Sequence, residues 1–174
     1  MFTIRTATAQ DAEALAELGR RTFQETFAKD NRPDDMARYL ADHFGAALQR
    51  EELADPSSRF LLLLAEATPA GYVKVRRGPA QVPGRSPLEI CRFYVNRAWH
   101  GSGGAPALMR ATVALAQHEA HDALWLAVWE HNARAIAFYQ KHGFTRVGEQ
   151  PFQLGADLQT DWVMAREVRP EQSR

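Results

Sequence analysis

Cysteine is nearly absent. Cys91 is the only one among 174 residues, so no internal disulfide can form, as is usual for chains kept in a reducing cytosol. Long hydrophobic runs are missing as well. The longest, Phe60 to Ala65, falls far short of the ~20 apolar residues that a membrane helix needs. Met1-Phe2-Thr3-Ile4-Arg5 lacks the basic flank and apolar core of a signal peptide. Charge of one sign is lacking too: 21 Lys and Arg stand against 21 Asp and Glu, for a formal net charge of zero. Nucleic-acid binders usually carry a basic excess. The expectation is a cytoplasmic protein with neither a nucleic-acid nor a membrane partner. Repeats, low-complexity tracts and linkers are also missing. A chain of this length buries roughly 70% of its unfolded surface, so a single domain over 1–168 is expected, with 169–174 as a frayed tail.

What is present reads as a mixed α/β pattern. Thr3–Ala7 is a short strand, and Thr8 with Asp11 resembles a capping box opening a helix through about Ala28. Met36, Tyr39, Leu40, Phe44 and Leu48 recur at spacings of three and four within one helical region, Pro33 to Leu53. Phe60–Glu66 and Tyr72–Arg76 read as a hairpin turning at Pro69 and Gly71. After a loop from Gly78 to Pro87, Leu88–Val95 is a strand. Gly104 to about His121 is a helix, Leu124–Trp129 a strand and Asn132–His142 a helix capped by Gly143. Strands at Thr145–Gln150 and Asp161–Val168 close the chain.

The most informative segment is His100-Gly101-Ser102-Gly103-Gly104-Ala105-Pro106, which follows a strand and opens a helix. Glycines let backbone N–H groups approach a ligand, and the helix N-terminus adds a positive dipole. Together they can cradle phosphate oxygens. A Rossmann fingerprint fails because Pro106 occupies its third glycine position, and a P-loop fails for want of a lysine. A tight turn without a ligand remains the other reading.

Asn132 and Tyr139 lie seven residues apart, two helical turns, and so share a helix face. Leu88–Val95, the loop His100–Ala105 and Asn132-x-x-Ala135-x-x-Phe138-Tyr139-x-Lys141-x-Gly143-Phe144 together resemble the GNAT superfamily of acetyl-CoA-dependent N-acyltransferases. That family's loop pattern is Gln/Arg-x-x-Gly-x-Gly/Ala, matched at Gly103 and Ala105, with His100 departing from the usual Gln or Arg. A narrower similarity, to PaiA-like bacterial polyamine acetyltransferases, rests on three segments. They are Thr22-Phe23-x-Glu25-Thr26-Phe27, Leu124-Trp125-Leu126-x-Val128-Trp129-Glu130-x-Asn132 and Phe152-x-Leu154-Gly155-x-Asp157-x-Gln159-Thr160-Asp161.

The resemblance implies a single-domain α/β (α+β) fold. Its mixed, mostly antiparallel sheet would have six or seven strands, helices on both faces and a splayed central pair. It implies acetyl-CoA as cosubstrate, with the backbone of Phe93, Tyr94 and Val95 pairing with pantetheine and the Val95 N–H polarising the thioester. The loop from His100 through Gly101, Ser102, Gly103 and Gly104 to Ala105 would hold the pyrophosphate. Asn132 would contact the arm and Lys141 a CoA phosphate. An acceptor amine must lose a proton before attack. Glu89 is the expected base, with a solvated strand carboxylate as its other reading, and Tyr139 the expected acid for the departing thiolate. A cationic acceptor would suit Glu25, Trp129 and Glu130.

The remaining features have plain readings. His118 and His121 are placed in a helix's last turn, where they suit the dipole, and no metal site is expected. Cys91 reads as a small buried hydrophobe, and the Trp125/Trp129 alternation as sheet packing. The leading function is transfer of an acetyl group to a primary amine of a small molecule, best a polyamine such as spermidine. Acetylation of an amino acid, antibiotic or peptide N-terminus, and a non-catalytic acyl-CoA sensor, stay open. So does a homodimer.

Overall fold

The computed structural model describes residues 1–169, so the expected tail at 169–174 lies, apart from Arg169, outside the described residues. Strand β1 (Phe2–Thr6) leads through a 3-10 turn to α1 (Ala12–Phe27). Asp11 accepts the Thr8 N–H at 2.8 Å and pairs with Arg5 at 2.8 Å, tying that entry to β1. The expected second helical region is two helices, α2 (Pro33–His43) and α3 (Ala46–Ala54). Gly45 takes an extended conformation between them (φ −78°, ψ 147°) while Phe44 buries its ring. Strands β2 (Ser58–Ala65), β3 (Thr68–Arg77) and β4 (Pro87–Val95) follow. Next come α4 (Gly104–His118), β5 (Ala123–Trp129), α5 (Ala133–Lys141), β6 (Thr145–Leu154) and β7 (Asp157–Glu167).

The strands form one sheet in the order β1-β2-β3-β4-β5-β7-β6, and β4–β5 is its parallel pair. Helices α1 to α3 cover one face. On the other, α4 and α5 close the main core over Leu88, Ile90, Leu124 and Leu126.

Three sequence expectations need correction. The β2–β3 hairpin turns at Glu66 and Ala67, both left-handed (φ 48° and 69°), rather than at Pro69 and Gly71, which lie inside β3. A two-residue loop of that hand matches the twist of the flanking strands. The helix of α4 stops at His118, and Ala120 takes φ 58°. His121 therefore falls outside the helix and is buried, its Nδ1 within 3.0 Å of Ser86 Oγ. The final strands are longer than expected: β6 and β7 pair from Thr145 with Ala165 to Leu154 with Asp157, turning at Gly155.

Candidate active site

Two features of β4 create the site. Lys74 pairs with Arg92 and Val75 with Ile90, so Cys91 is an extra residue without a partner on β3. Such a bulge reverses the inward-outward alternation. Leu88 and Ile90 before it, and Phe93 and Val95 after it, thus all serve the α4–α5 core. Secondly, β4 pairs with β5 only from Pro87 to Ile90. Beyond Ile90 and Leu126 the two strands part, and a cleft of about 710 Å³ runs through the gap. This is the splay expected of the central strands.

The gap exposes backbone. Asn96 N–H donates to Ala70 O at 2.8 Å. Peptide groups of antiparallel strands alternate in direction, so the N–H groups of Phe93 and Val95 point away from β3, into the gap. The Val95 carbonyl is already engaged by His100 Nε2 at 2.8 Å. The other ring nitrogen of His100 meets the guanidinium of Arg134, in the first turn of α5. Gly101 and Gly103 follow at φ +76° and +90°, a backbone that glycine adopts without strain. The turn they shape delivers the chain into the N-terminus of α4, which is able to take an anion.

A buried charge network braces the bulge. Arg92 grips Glu52 through two bonds of 2.7 and 2.8 Å and meets Gln49 Oε1 at 3.1 Å. Lys74 Nζ stands 3.1 Å from the same carboxylate. Burial acts to raise the Glu52 carboxyl, but Arg92 and Lys74 hold it below its ordinary value.

The structure gathers most of the sequence-nominated residues around the cleft. Phe93, Tyr94, Val95, His100, Ala105 and Asn132 line it, as do Tyr139, Glu89, Glu25 and Trp129. Burial alone drives the Tyr139 phenol far above its ordinary value, so it keeps its proton at any physiological pH. Asn132 accepts the Ala135 N–H at 3.2 Å as the cap of α5. Glu89 is ion-paired to Arg76 at 2.8 Å. Gly101, Ser102, Gly103 and Gly104 are outside the lining: the first three are exposed, and Gly104 is buried against Phe2 and Leu63. Lys141 is exposed at the far end of α5, about 13 Å along the axis from Asn132 at 1.5 Å per residue, and is not brought to the cleft. Glu130 stands outside the lining but close enough to Asp161 to act on its charge. Cys91 is half-buried at the bulge rather than in an ordinary strand position. Burial and Glu89 push its thiol up to about 12, which keeps it from acting as a nucleophile.

Sequence reasoning gave no site role to three lining residues with chemistry. Arg134 and Arg97 bring cations to the mouth. Asp161, on β7 opposite Trp129, is a buried carboxylate in the cleft wall. Burial, then the neighbouring Glu130, raises it to about 6.

The features together fit an acyl-CoA. The strand gap admits an extended arm along exposed peptide groups, and the loop with Arg134 suits its phosphates. Comparison with known proteins agrees. The model of the acetyltransferase (GNAT) family matches residues 13–144. An uncharacterized N-acetyltransferase in the pepI 3' region of Lactobacillus delbrueckii subsp. lactis is 35% identical over 159 residues, covering 90% of this chain and 92% of its own. An uncharacterized N-acetyltransferase of Mycobacterium tuberculosis is 32% identical over 158 residues, covering 91% and 98%. Among solved structures, the PaiA N-acetyltransferase of Thermoplasma acidophilum in complex with coenzyme A superimposes with a TM-score of 0.79. It shares 17% identity and covers 97% of this chain and 99% of that one. The splayed strands, the glycine turn and these relatives lead to one conclusion: the chain belongs to the GNAT family of acetyltransferases, with acetyl-CoA as its cosubstrate.

Proposed function

We propose that this acetyltransferase transfers its acetyl group directly to a primary amine of a small molecule, a polyamine such as spermidine being the best fit. The observation that carries this is the two-sided character of the cleft. Its α5 side presents Tyr139, while its α1–α2 side presents aromatic rings and the carboxylates Glu25, Glu89 and Asp161. An acceptor that is cationic in water suits a wall of rings and carboxylates.

Acetyl-CoA, when bound, supplies an activated acyl thioester. The N–H groups of Phe93 and Val95 hold the arm, and that of Val95 donates to the thioester oxygen, where negative charge develops. The loop from His100 to Ala105 binds the pyrophosphate with Arg134, and Asn132 orients the start of α5 against the arm. Glu89 takes the ammonium proton through water, restoring the lone pair that attack requires. Tyr139 Oη then gives its proton to the leaving sulfur. Glu25, Trp129 and Glu130 shape the approach of the acceptor.

The test is release of CoA thiol by purified protein with acetyl-CoA and a panel of amines. Spermidine-dependent release well above the no-acceptor rate, with little for amino acids, supports the reading. Release with another amine alone keeps the transfer and replaces the substrate.

A further inference from the structure

Among the described residues, Asp161 is the buried carboxylate in the cleft lining that holds no partner. Its residue is 7% exposed, and the described residues offer its Oδ1 no hydrogen-bond partner. A buried carboxylate is costly unless paired, and those elsewhere near the cleft are paired: Glu52 with Arg92 and Lys74, Glu89 with Arg76. Around it stand rings. Asp161 is the register partner of Trp129, which meets Phe27 at 5.5 Å between centroids, and Tyr39 meets Phe152 at the same separation. Phe27, Tyr39, Trp129 and Phe152 line the cleft with it. Aromatic faces beside an unpaired carboxylate make a receptor for an organic cation.

This end is distinct from the place where Glu89 sits. Glu89 is level with Trp125 and Asp161 with Trp129, on the strands either side of β5. Four residues at ~3.3 Å and two strand spacings of ~4.8 Å separate the two backbone positions by about 16 Å. One nitrogen cannot serve both carboxylates; an extended molecule with two amino groups can.

We propose that Asp161 and its aromatic collar bind the non-reacting ammonium group of the acceptor, so that the enzyme selects aliphatic di- and polyamines over monoamines. The inference rests on the proposed role of Glu89 in marking the reacting amine, and it assigns Asp161 the choice of substrate. The neighbouring charges suit a cation at this end. Glu25 lines the same cleft, and Glu130 adds its field to that of Asp161.

The test has two arms. Spermidine is titrated calorimetrically into the CoA-loaded protein, and kcat/KM is compared for spermidine and n-butylamine. Asp161→Asn is expected to weaken spermidine binding at least tenfold and to cut the spermidine-to-butylamine preference by a similar factor. Asp161→Glu, which keeps the charge, recovers part of both. Equal binding by wild type and Asp161→Asn, no binding by wild type, or an unchanged preference overturns the proposal. Spermidine that binds through Asp161 but releases no thiol refutes transfer to polyamines and leaves the cation site standing.

Discussion

His100 gives its Nε2–H to the carbonyl of Val95 across 2.8 Å. A carbonyl only accepts, so Nδ1 is left as the acceptor that takes the Arg134 guanidinium. One imidazole thus ties the end of β4 to the start of α5 at the mouth of the glycine turn, and it aims an arginine where the family's loop more often carries Gln or Arg itself.

Loss of that arginine is expected to weaken the cosubstrate rather than the chemistry. Arg134→Ala should raise KM for acetyl-CoA about tenfold, ~1.4 kcal/mol for one charge-assisted contact, with kcat changed little. His100→Ala, which leaves Arg134 in place but unheld, should give a smaller rise. Initial rates with varied acetyl-CoA measure both.

Tyr139 lines the cleft beside Phe93, their rings 6.3 Å apart. Removing its proton with Tyr139→Phe should lower kcat by about a hundredfold, the lower range for a lost general acid, while acetyl-CoA binds as before. A non-catalytic sensor would show no turnover in either protein.

The fold should depend sharply on Glu52. Its replacement by Gln leaves Lys74 and Arg92 buried without a carboxylate, and breaking a buried pair this way costs about 3–5 kcal/mol. Denaturant unfolding reads the loss. Because the folded Glu52 pKa is depressed, its contribution is present above the ordinary carboxylate pKa and disappears as acid protonates it.

Asp161 should behave in the opposite sense. Its pKa rises from 3.8 to about 6, through burial and then Glu130. A raised carboxylate favours the protonated folded state, so stability falls as pH climbs through the window from about 4 to 6. Asp161→Asn should remove that slope and melt no lower than wild type at neutral pH. Tyr39, Glu25, Lys29 and Arg92 face the same cleft and are unchanged in the comparison. Melting temperatures across the range measure it.

Much of this was legible in the chain. The glycine turn before α4 and the Asn132-to-Phe144 pattern carry the family resemblance, and the order of helices and strands follows from periodicity. The bulge left a trace as well. Leu88 and Ile90, then Phe93 and Val95, are apolar on alternate positions with one step out of phase at Cys91, and that shift of parity is what an extra residue produces. Other features had no local signal. Glu66 and Ala67 turn a hairpin without Gly, Asn or Asp, because the pairing of β2 and β3 fixes the turn. Gly45 splits a helix whose apolar spacing continues across it. Asp161 looks like one polar residue in an alternating strand. It becomes a buried carboxylate only because β5 sets Trp129 opposite it and α2 brings Tyr39 across the cleft. Arg134 gains its place through His100, 34 residues earlier.

The decisive measurement is thiol release from acetyl-CoA in the presence and absence of spermidine. Direct transfer in a ternary complex requires release that saturates with spermidine and initial-rate lines that intersect as acetyl-CoA is varied, with Cys91→Ala still active. Parallel lines lost with Cys91, or no release above the acceptor-free rate with any amine, would contradict it.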